Sequence, residues 1–387
     1  MRVAFVVPRY GEDIVGGAEY YARMVAEHLK EGHAIEVLTT CARNYLTWKN
    51  EYEPGIESIN GVIVRRFKTN RERVLSRHTE AEQNVFYNNA HGRDDELRWI
   101  DEQGPYSLDL IKYIKAEKDN YDGFIFFTFR YFLSYYGIME VGTKSLIAPF
   151  AENDPALDLS TTQEIFNKIG GIIYSTPEER RLILSKVNFK EDEKFWDLIG
   201  FGIERPASCD EEDESEKGDY IMYLGRIDGS KGCYTLIEYY QRAARELSTM
   251  PDLVLAGFQG IDVPKHDKIK NIGFVSEERK FKMLKNSKFL IMPSPYESLS
   301  IVTLEAMACG TPVLVNGECS VLKGHCKRSN AGLWYNDFDE FMECSKLLAS
   351  NDELREQMGR NGEKYVNENY NWMDLKRKYS NLLEKIK

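Results

Sequence analysis

Residues 293–313 read Pro293-Ser294-Pro295-Tyr296-Glu297-Ser298-Leu299-Ser300-Ile301-Val302-Thr303-Leu304-Glu305-Ala306-Met307-Ala308-Cys309-Gly310-Thr311-Pro312-Val313. The apolar run Phe289–Met292 precedes them and Pro312–Val315 closes them, both with strand character. Two prolines mark the turn between the first strand and a helix over Ile301–Cys309 whose first turn opens near Ser298. A strand, a helix and a strand in succession imply parallel neighbours joined by a crossover. A helix opening there would offer backbone N–H groups from about Ser298 to Ile301, and the positive end of its dipole, to an anion. Glu297 stands just before it and Glu305 two turns inside, and residues eight apart share a helix face. Both carboxylates are therefore expected to look into one cleft, where they could accept paired hydroxyl hydrogen bonds. On spacing alone, a capping glutamate and an ordinary helical one fit as well.

The same rhythm extends upstream. Tyr220–Leu224, Leu253–Ala256 and Ile272–Val275 read as strands, Thr235–Leu247 as a helix. Ser276 caps a helix reaching about Asn286, with Glu277 and Glu278 in its first turn. After Leu224 comes Gly225-Arg226-Ile227-Asp228-Gly229-Ser230-Lys231-Gly232. Arg226 and Lys231 are fixed cations at a strand end, beside glycines that permit close approach. A solvated loop with two surface cations is the plainer alternative. The first half alternates likewise: strands at Arg2–Val7, Ile35–Thr39, Tyr121–Thr128, Lys144–Pro149 and Gly171–Ser175, with helical patterns between. Gly61–Phe67 mixes apolar and basic residues, as an edge strand would. Gly16-Gly17 precedes a helix over Ala18–Lys30 and would let amides approach a phosphate, without the Gly-x-Gly-x-x-Gly spacing of a dinucleotide site.

These readings give an α/β chain with two Rossmann-like domains facing each other across a cleft, where ligands are expected at the strand ends. The length of 387 residues suits two domains. They are expected at 1–204 and 220–370, joined by an acidic linker at 205–219, with a last helical stretch at 371–387. A net charge of −11 disfavours a nucleic-acid binder. Seven cysteines without a Cys-x-x-Cys pair, and only six histidines, disfavour a zinc site and suit reduced thiols. The N-terminal apolar run stops at Pro8 and reads as a buried strand rather than a signal peptide. A cytoplasmic location follows as an expectation.

Taken together the motifs resemble the retaining GT-B glycosyltransferases of glycosyltransferase family 4, over nearly the whole chain. The Glu297-x7-Glu305 segment with Ala306–Val313 is similar to the family's signature. Gly225-Arg226 and Lys231-Gly232 resemble its Gly-Arg…Lys-Gly element. Leu253–Gly257, Gly273–Ser276 and Ser329–Leu333 are similar to lesser family stretches. Tyr370-Asn371-Trp372 and the helix after it resemble the segment that crosses back onto the N-terminal domain.

The resemblance implies transfer of a hexose-type sugar from a nucleoside-diphosphate donor, UDP-sugar favoured and GDP-sugar the alternative, with retention and without a metal or other cofactor. By carry-over, Glu305 would hold the ribose hydroxyls, Glu297 the transferred sugar, and Arg226 and Lys231 the leaving diphosphate. Amides near Ser298, Leu299 and Ser300, and those of Gly16 and Gly17, would add hydrogen bonds. The backbone at Gly225, Phe274 and Val275 would complete the donor site, with Phe274 and Val275 at the base. One departure stands out: Glu152 occupies the place where the family often carries a histidine. It is expected to bind a donor hydroxyl or assist acceptor deprotonation. It also keeps open a non-catalytic partner subunit, and an epimerase or hydrolase on the same fold is a further alternative. The acceptor is expected to be a glycan, a lipid-linked sugar or a protein glycan. Arg65, Arg66, Lys68, Arg71, Arg73 and Arg77 oppose only Glu72 locally, which suggests peripheral contact with an anionic membrane or simply a solvated face.

Overall fold

The protein is described from a computed structural model covering residues 1–14, 16–88, 90–207 and 218–387. Most of the acidic linker, residues 208–217, lies outside the described residues. The chain divides into two compact units, Met1–Gly200 with Met373–Lys387, and Phe201–Trp372.

The first unit carries strands β1 (Arg2–Val6), β2 (Ala34–Thr40), β3 (Gly55–Ile59), β4 (Val62–Phe67), β5 (Gly123–Phe127), β6 (Ser145–Ala148), β7 (Gly171–Tyr174) and β8 (Phe195–Leu198). Its helices are α1 (Gly17–Leu29), α2 (Leu75–Phe86), α3 (Arg93–Gln103), α4 (Leu108–Glu117), α5 (Phe132–Val141), α6 (Ser160–Lys168) and α7 (Pro177–Lys186). The sheet order is β3-β4-β2-β1-β5-β6-β7-β8, and every pairing is parallel except β3 with β4. Val3–Val6 and all of β5 are buried, as strands covered on both faces must be. The aromatics Phe124, Phe126, Phe129 and Phe132 belong to the core.

Two expectations change here. Gly61–Phe67 is not an edge strand, because β3 pairs outside it. The hairpin turns at Asn60 (φ 49°) and Gly61 (φ 78°), the two positive dihedrals a tight two-residue turn requires. The basic cluster is also opposed by more than Glu72. Arg65 pairs with Glu36 at 2.8 Å, Arg66 with Glu57, and Arg71 and Arg77 reach Glu102 at 3.3 and 3.8 Å. Arg73 donates to the carbonyls of Tyr45 and Gln103.

The second unit carries β9 (Tyr220–Leu224), α8 (Cys233–Glu246), β10 (Asp252–Ala256), β11 (Ile269–Gly273), α9 (Glu277–Asn286), β12 (Leu290–Met292), α10 (Ile301–Ala308) and β13 (Val313–Asn316). They are followed by α11 (Ser320–Ser329), β14 (Gly332–Tyr335), α12 (Phe338–Ser350) and α13 (Asp352–Asn369). The sheet is wholly parallel, in the order β11-β10-β9-β12-β13-β14. From β9 the chain winds outward one way to β11, then returns to wind the other way from β12. The reversal between β9 and β12 is the topological switch point, where open α/β sheets bind ligands.

The chain ends on α14 (Trp372–Ile386). Trp372 packs edge-on against Phe201, with its ring over Gly202, inside the second unit. From Met373 the helix belongs to the first unit, where Tyr379 shares a 2.8 Å hydroxyl contact with Tyr21. His33 meets Ser380 at 2.9 Å, and Leu375, Tyr379, Leu382, Leu383 and Ile386 are buried at helical spacing.

Candidate functional site

The two loops that leave the switch point of the second sheet meet each other. The loop after β9 carries Arg226 and Lys231, and the loop after β12 carries Glu297. Lys231 Nζ donates to Glu297 Oε1 at 2.7 Å, and both side chains are mostly buried. The approach is close because Gly232 stands in the left-handed region (φ 75°) against the carbonyl of Pro293. A Cβ there would lie 2.3 Å from that oxygen. Asp228 organises the first loop. Its Oδ1 accepts from the Lys231 N–H at 3.0 Å and from Ser230 Oγ at 2.7 Å, and its Oδ2 holds Arg226 Nη1 at 3.0 Å. Gly225, at φ 146°, donates its N–H to Ala256 at 3.0 Å and turns the chain out of the sheet. Lys231, Glu297 and Arg226 thus occupy one end of the sheet. Reading the sequence missed Asp228, although Asp ahead of a Gly-Ser turn is a usual capping signal.

The second loop differs from expectation. The helix opens at Ile301, not near Ser298, because Ser300 is left-handed (φ 63°, ψ 76°) and caps α10. Its carbonyl accepts from Thr303 at 3.1 Å, and its hydroxyl meets Thr303 Oγ1 at 2.8 Å. Glu297 therefore precedes the helix by a whole loop, and the argument that Glu297 and Glu305 share a helix face does not apply. A serine in this region costs about 1–2 kcal/mol and persists where surrounding contacts fix it. His325, fully buried on α11, supplies such a contact. Its Nε2 meets the Leu299 carbonyl at 2.9 Å and its Nδ1 meets Tyr365 Oη at 3.1 Å. The carbonyl accepts only, so Nε2 carries a proton. Tyr365 in turn receives Arg328 Nε at 3.2 Å. His325 was invisible to sequence reading, because its partners are backbone and a ring some forty residues on.

Glu305 has a separate partner. It is almost wholly buried in α10, and Lys280 Nζ of α9 donates to its Oε1 at 2.7 Å. Lys280 also donates to Glu277 Oε2 at 2.7 Å. Burial pushes the Glu305 carboxyl up, opposed by the charge of Lys280. Phe274 and Val275 lie beyond the end of β11, which runs from Ile269 to Gly273 and so both starts and stops earlier than the expected Ile272–Val275 strand. Gly273 is left-handed (φ 67°) and leads Phe274 out, exposed, ahead of the Ser276 cap of α9. Helix α9 thus connects the Phe274 loop to the Lys280–Glu305 contact.

In the first unit, Gly16 caps α1 and its carbonyl accepts from Tyr20 at 2.8 Å. A Cβ on Gly16 would meet the Glu19 carboxylate at 2.3 Å, while one on Gly17 would meet nothing within 4 Å. Glu19 is engaged by the buried Arg9, whose Nε donates at 2.9 Å. Glu152 follows β6 after Phe150, a left-handed residue (φ 48°), and its carbonyl accepts from Asp154 at 2.7 Å. This loop is anchored by Glu179, which is fully buried on α7. Its two oxygens accept from the N–H groups of Ala151 at 2.7 Å and Ser175 at 2.6 Å, tying the ends of β6 and β7 together. Burial pushes the Glu179 carboxyl up to about 7, against the pull of the N–H groups of Ser175 and Ala151.

Residues 204–365 match the family described as Glycosyl transferases group 1. That match falls wholly within the second unit. An uncharacterized glycosyltransferase of Methanocaldococcus jannaschii is 24% identical over 99% of this chain and 97% of its own. The alpha-D-kanosaminyltransferase of Streptomyces kanamyceticus is 30% identical over 36% of this chain and 39% of its own. Among solved structures, Anabaena HepE in complex with UDP-glucose superposes with a TM-score of 0.69 at 12% identity, covering 99% of both chains. The chain has the GT-B glycosyltransferase fold of two Rossmann-like units. Among the described residues, no helix is long and apolar enough to cross a membrane.

Proposed function

We propose that this chain is a retaining glycosyltransferase that moves a hexose-type sugar from a nucleoside-diphosphate donor to a glycan, lipid-linked or protein-glycan acceptor. UDP-sugars are the favoured donors and GDP-sugars the alternative. The observation that carries the reading is the meeting of Lys231 and Glu297 at 2.7 Å, with Arg226 beside them, at the switch point of the sheet that the group 1 match spans. In the proposed reaction the bond between the anomeric carbon and the diphosphate breaks, an acceptor hydroxyl oxygen bonds to that carbon while its proton passes to the departing diphosphate, and charge gathers on the leaving oxygens as they separate. Lys231 and Arg226 stabilise that charge, and cations fixed before the reaction do so without reorganisation cost. Glu297, released from Lys231 as the phosphates bind, accepts hydroxyls of the transferred sugar. Glu305 holds the ribose diol, with the Phe274-Val275 backbone at the base. The amides of Ser298, Leu299 and Ser300, with Gly16 and Gly17, add hydrogen bonds. The two cations serve in place of a divalent metal, so turnover should need neither a metal nor another cofactor.

The HepE complex with UDP-glucose supports the uridine preference by analogy of fold. A panel of nucleotide sugars, read by nucleoside-diphosphate release, tests the reading. Release that Lys231→Ala abolishes supports it, and a chain inert with every donor and acceptor contradicts it. Glu152 in place of a histidine favours one second reading, a non-catalytic partner subunit. Donor turnover that Glu152→Gln reduces would assign Glu152 to the reaction and dismiss that reading.

A further inference from the structure

A lysine in the buried face of α9 is chemically costly. Its neighbours on that face, Phe281, Met283 and Leu284, are apolar, and a leucine or methionine would suit the packing. Lys280 is nevertheless only 8% exposed and Glu305 only 3%. Lysine is seldom buried unless paired, and a buried ion pair adds little stability over an apolar replacement. The pair is therefore poorly explained by folding alone. Lys280 bridges two carboxylates of different standing, exposed Glu277 and buried Glu305, at 2.7 Å each. An ionised carboxylate has about four acceptor sites, and Lys280 engages one oxygen of Glu305, which leaves capacity for two hydroxyls. A protonated carboxyl, the form that burial favours, would present a donor where a diol needs acceptors.

We infer that Lys280 is a positioning residue that holds Glu305 as an oriented carboxylate for the vicinal hydroxyls of the donor's ribose. The inference rests on the assignment of Glu305 to the ribose under the proposed function. It makes the α9 lysine a determinant of selectivity for ribonucleotides, although Lys280 itself touches no part of the donor.

The test is calorimetric titration of the full chain with UDP, GDP and ADP, followed by the 2′,3′-dideoxy form of whichever binds most tightly. Wild type should prefer the ribo form by about tenfold or more, tenfold being the least that one hydrogen bond to a charged group is worth. Lys280→Met should bring the two forms close to equal by weakening the ribo form and leaving the dideoxy form unchanged. Lys280→Gln, which keeps a donor but no charge, should do the same. A ribo preference kept in either variant overturns the inference while leaving the ribose assignment standing. Equal binding of both forms by wild type overturns the Glu305 assignment, and with it the role of Lys280. Binding of none of the three diphosphates contradicts the proposed function itself. If neither variant melts cooperatively, the lysine is structural and the inference fails.

Discussion

Gly232→Ala is the most informative single change to the switch point. The substitution places a methyl 2.3 Å from the Pro293 carbonyl oxygen, 0.7 Å inside the 3.0 Å limit that real Cβ contacts respect. It also puts a side chain at φ 75°. The left-handed dihedral costs about 1–2 kcal/mol, and the forced contact adds about 1–3 kcal/mol. The loss of glycine's freedom in the unfolded chain returns about 0.4–1 kcal/mol. The central net loss of about 3 kcal/mol lowers the melting temperature by roughly 6–12 °C for a unit of this size. Relief of the contact requires the β9 and β12 loops to part, and Lys231, the preceding residue, moves with them. A displacement near 1 Å at a reacting centre costs about 10²-fold in rate. Thermal melting and nucleoside-diphosphate release measure the two effects. Gly17→Ala is the contrast, because its methyl meets nothing within 4 Å. With no strain to offset it, the gain of about 0.4–1 kcal/mol should raise the melt slightly, and donor affinity should fall if a phosphate approaches that amide. An unchanged melt and unchanged turnover in Gly232→Ala would refute the view that this contact sets the Lys231–Glu297 geometry.

His325→Leu leaves the Leu299 carbonyl without its donor, and thermal melting should show a loss of about 1–3 kcal/mol. The Glu179 carboxyl is raised in the folded chain to about 7 from an unfolded value of about 4.3. Its contribution is therefore complete below the unfolded value and is lost as pH rises through the folded one, by roughly 4 kcal/mol in all. Urea unfolding between those values should show that decline, and Glu179→Gln should flatten it; parallel profiles would contradict the assignment. Chelation should leave turnover intact, and activity lost to chelator and restored by magnesium would refute the metal-independent reading. Co-sedimentation with anionic liposomes at low salt tests the basic cluster. Because Glu36, Glu57 and Glu102 pair with most of its arginines, binding should be weak and should disappear as salt rises.

Much of this architecture is legible in the sequence where the physics is local. The wholly buried strands β5, β9 and β12 are unbroken apolar runs, and Ser276 caps α9 as its position suggests. Strands with a wet face were harder. β8 is exposed along half its length and reads as loop, and β3 escaped notice although Asn60-Gly61 signals its hairpin. The site residues divide in the same way. Arg226, Lys231, Glu297 and Glu305 stand out by motif. Their partners are set by contacts distant in sequence: Lys280 lies in a charged stretch that looks solvated, and His325 reaches Leu299 from another helix. The left-handed Ser300 shortened the expected helix, since a serine there carries no glycine-like signal.

The most direct measurement of the central claim is calorimetric titration of UDP-sugars and GDP-sugars into wild type, Lys231→Ala and Glu297→Gln. Binding of at least one nucleotide sugar by wild type, weakened in both variants, is the predicted result. Equal affinity in all three proteins, or no binding to any, would contradict the assignment of the donor to the β9 and β12 loops.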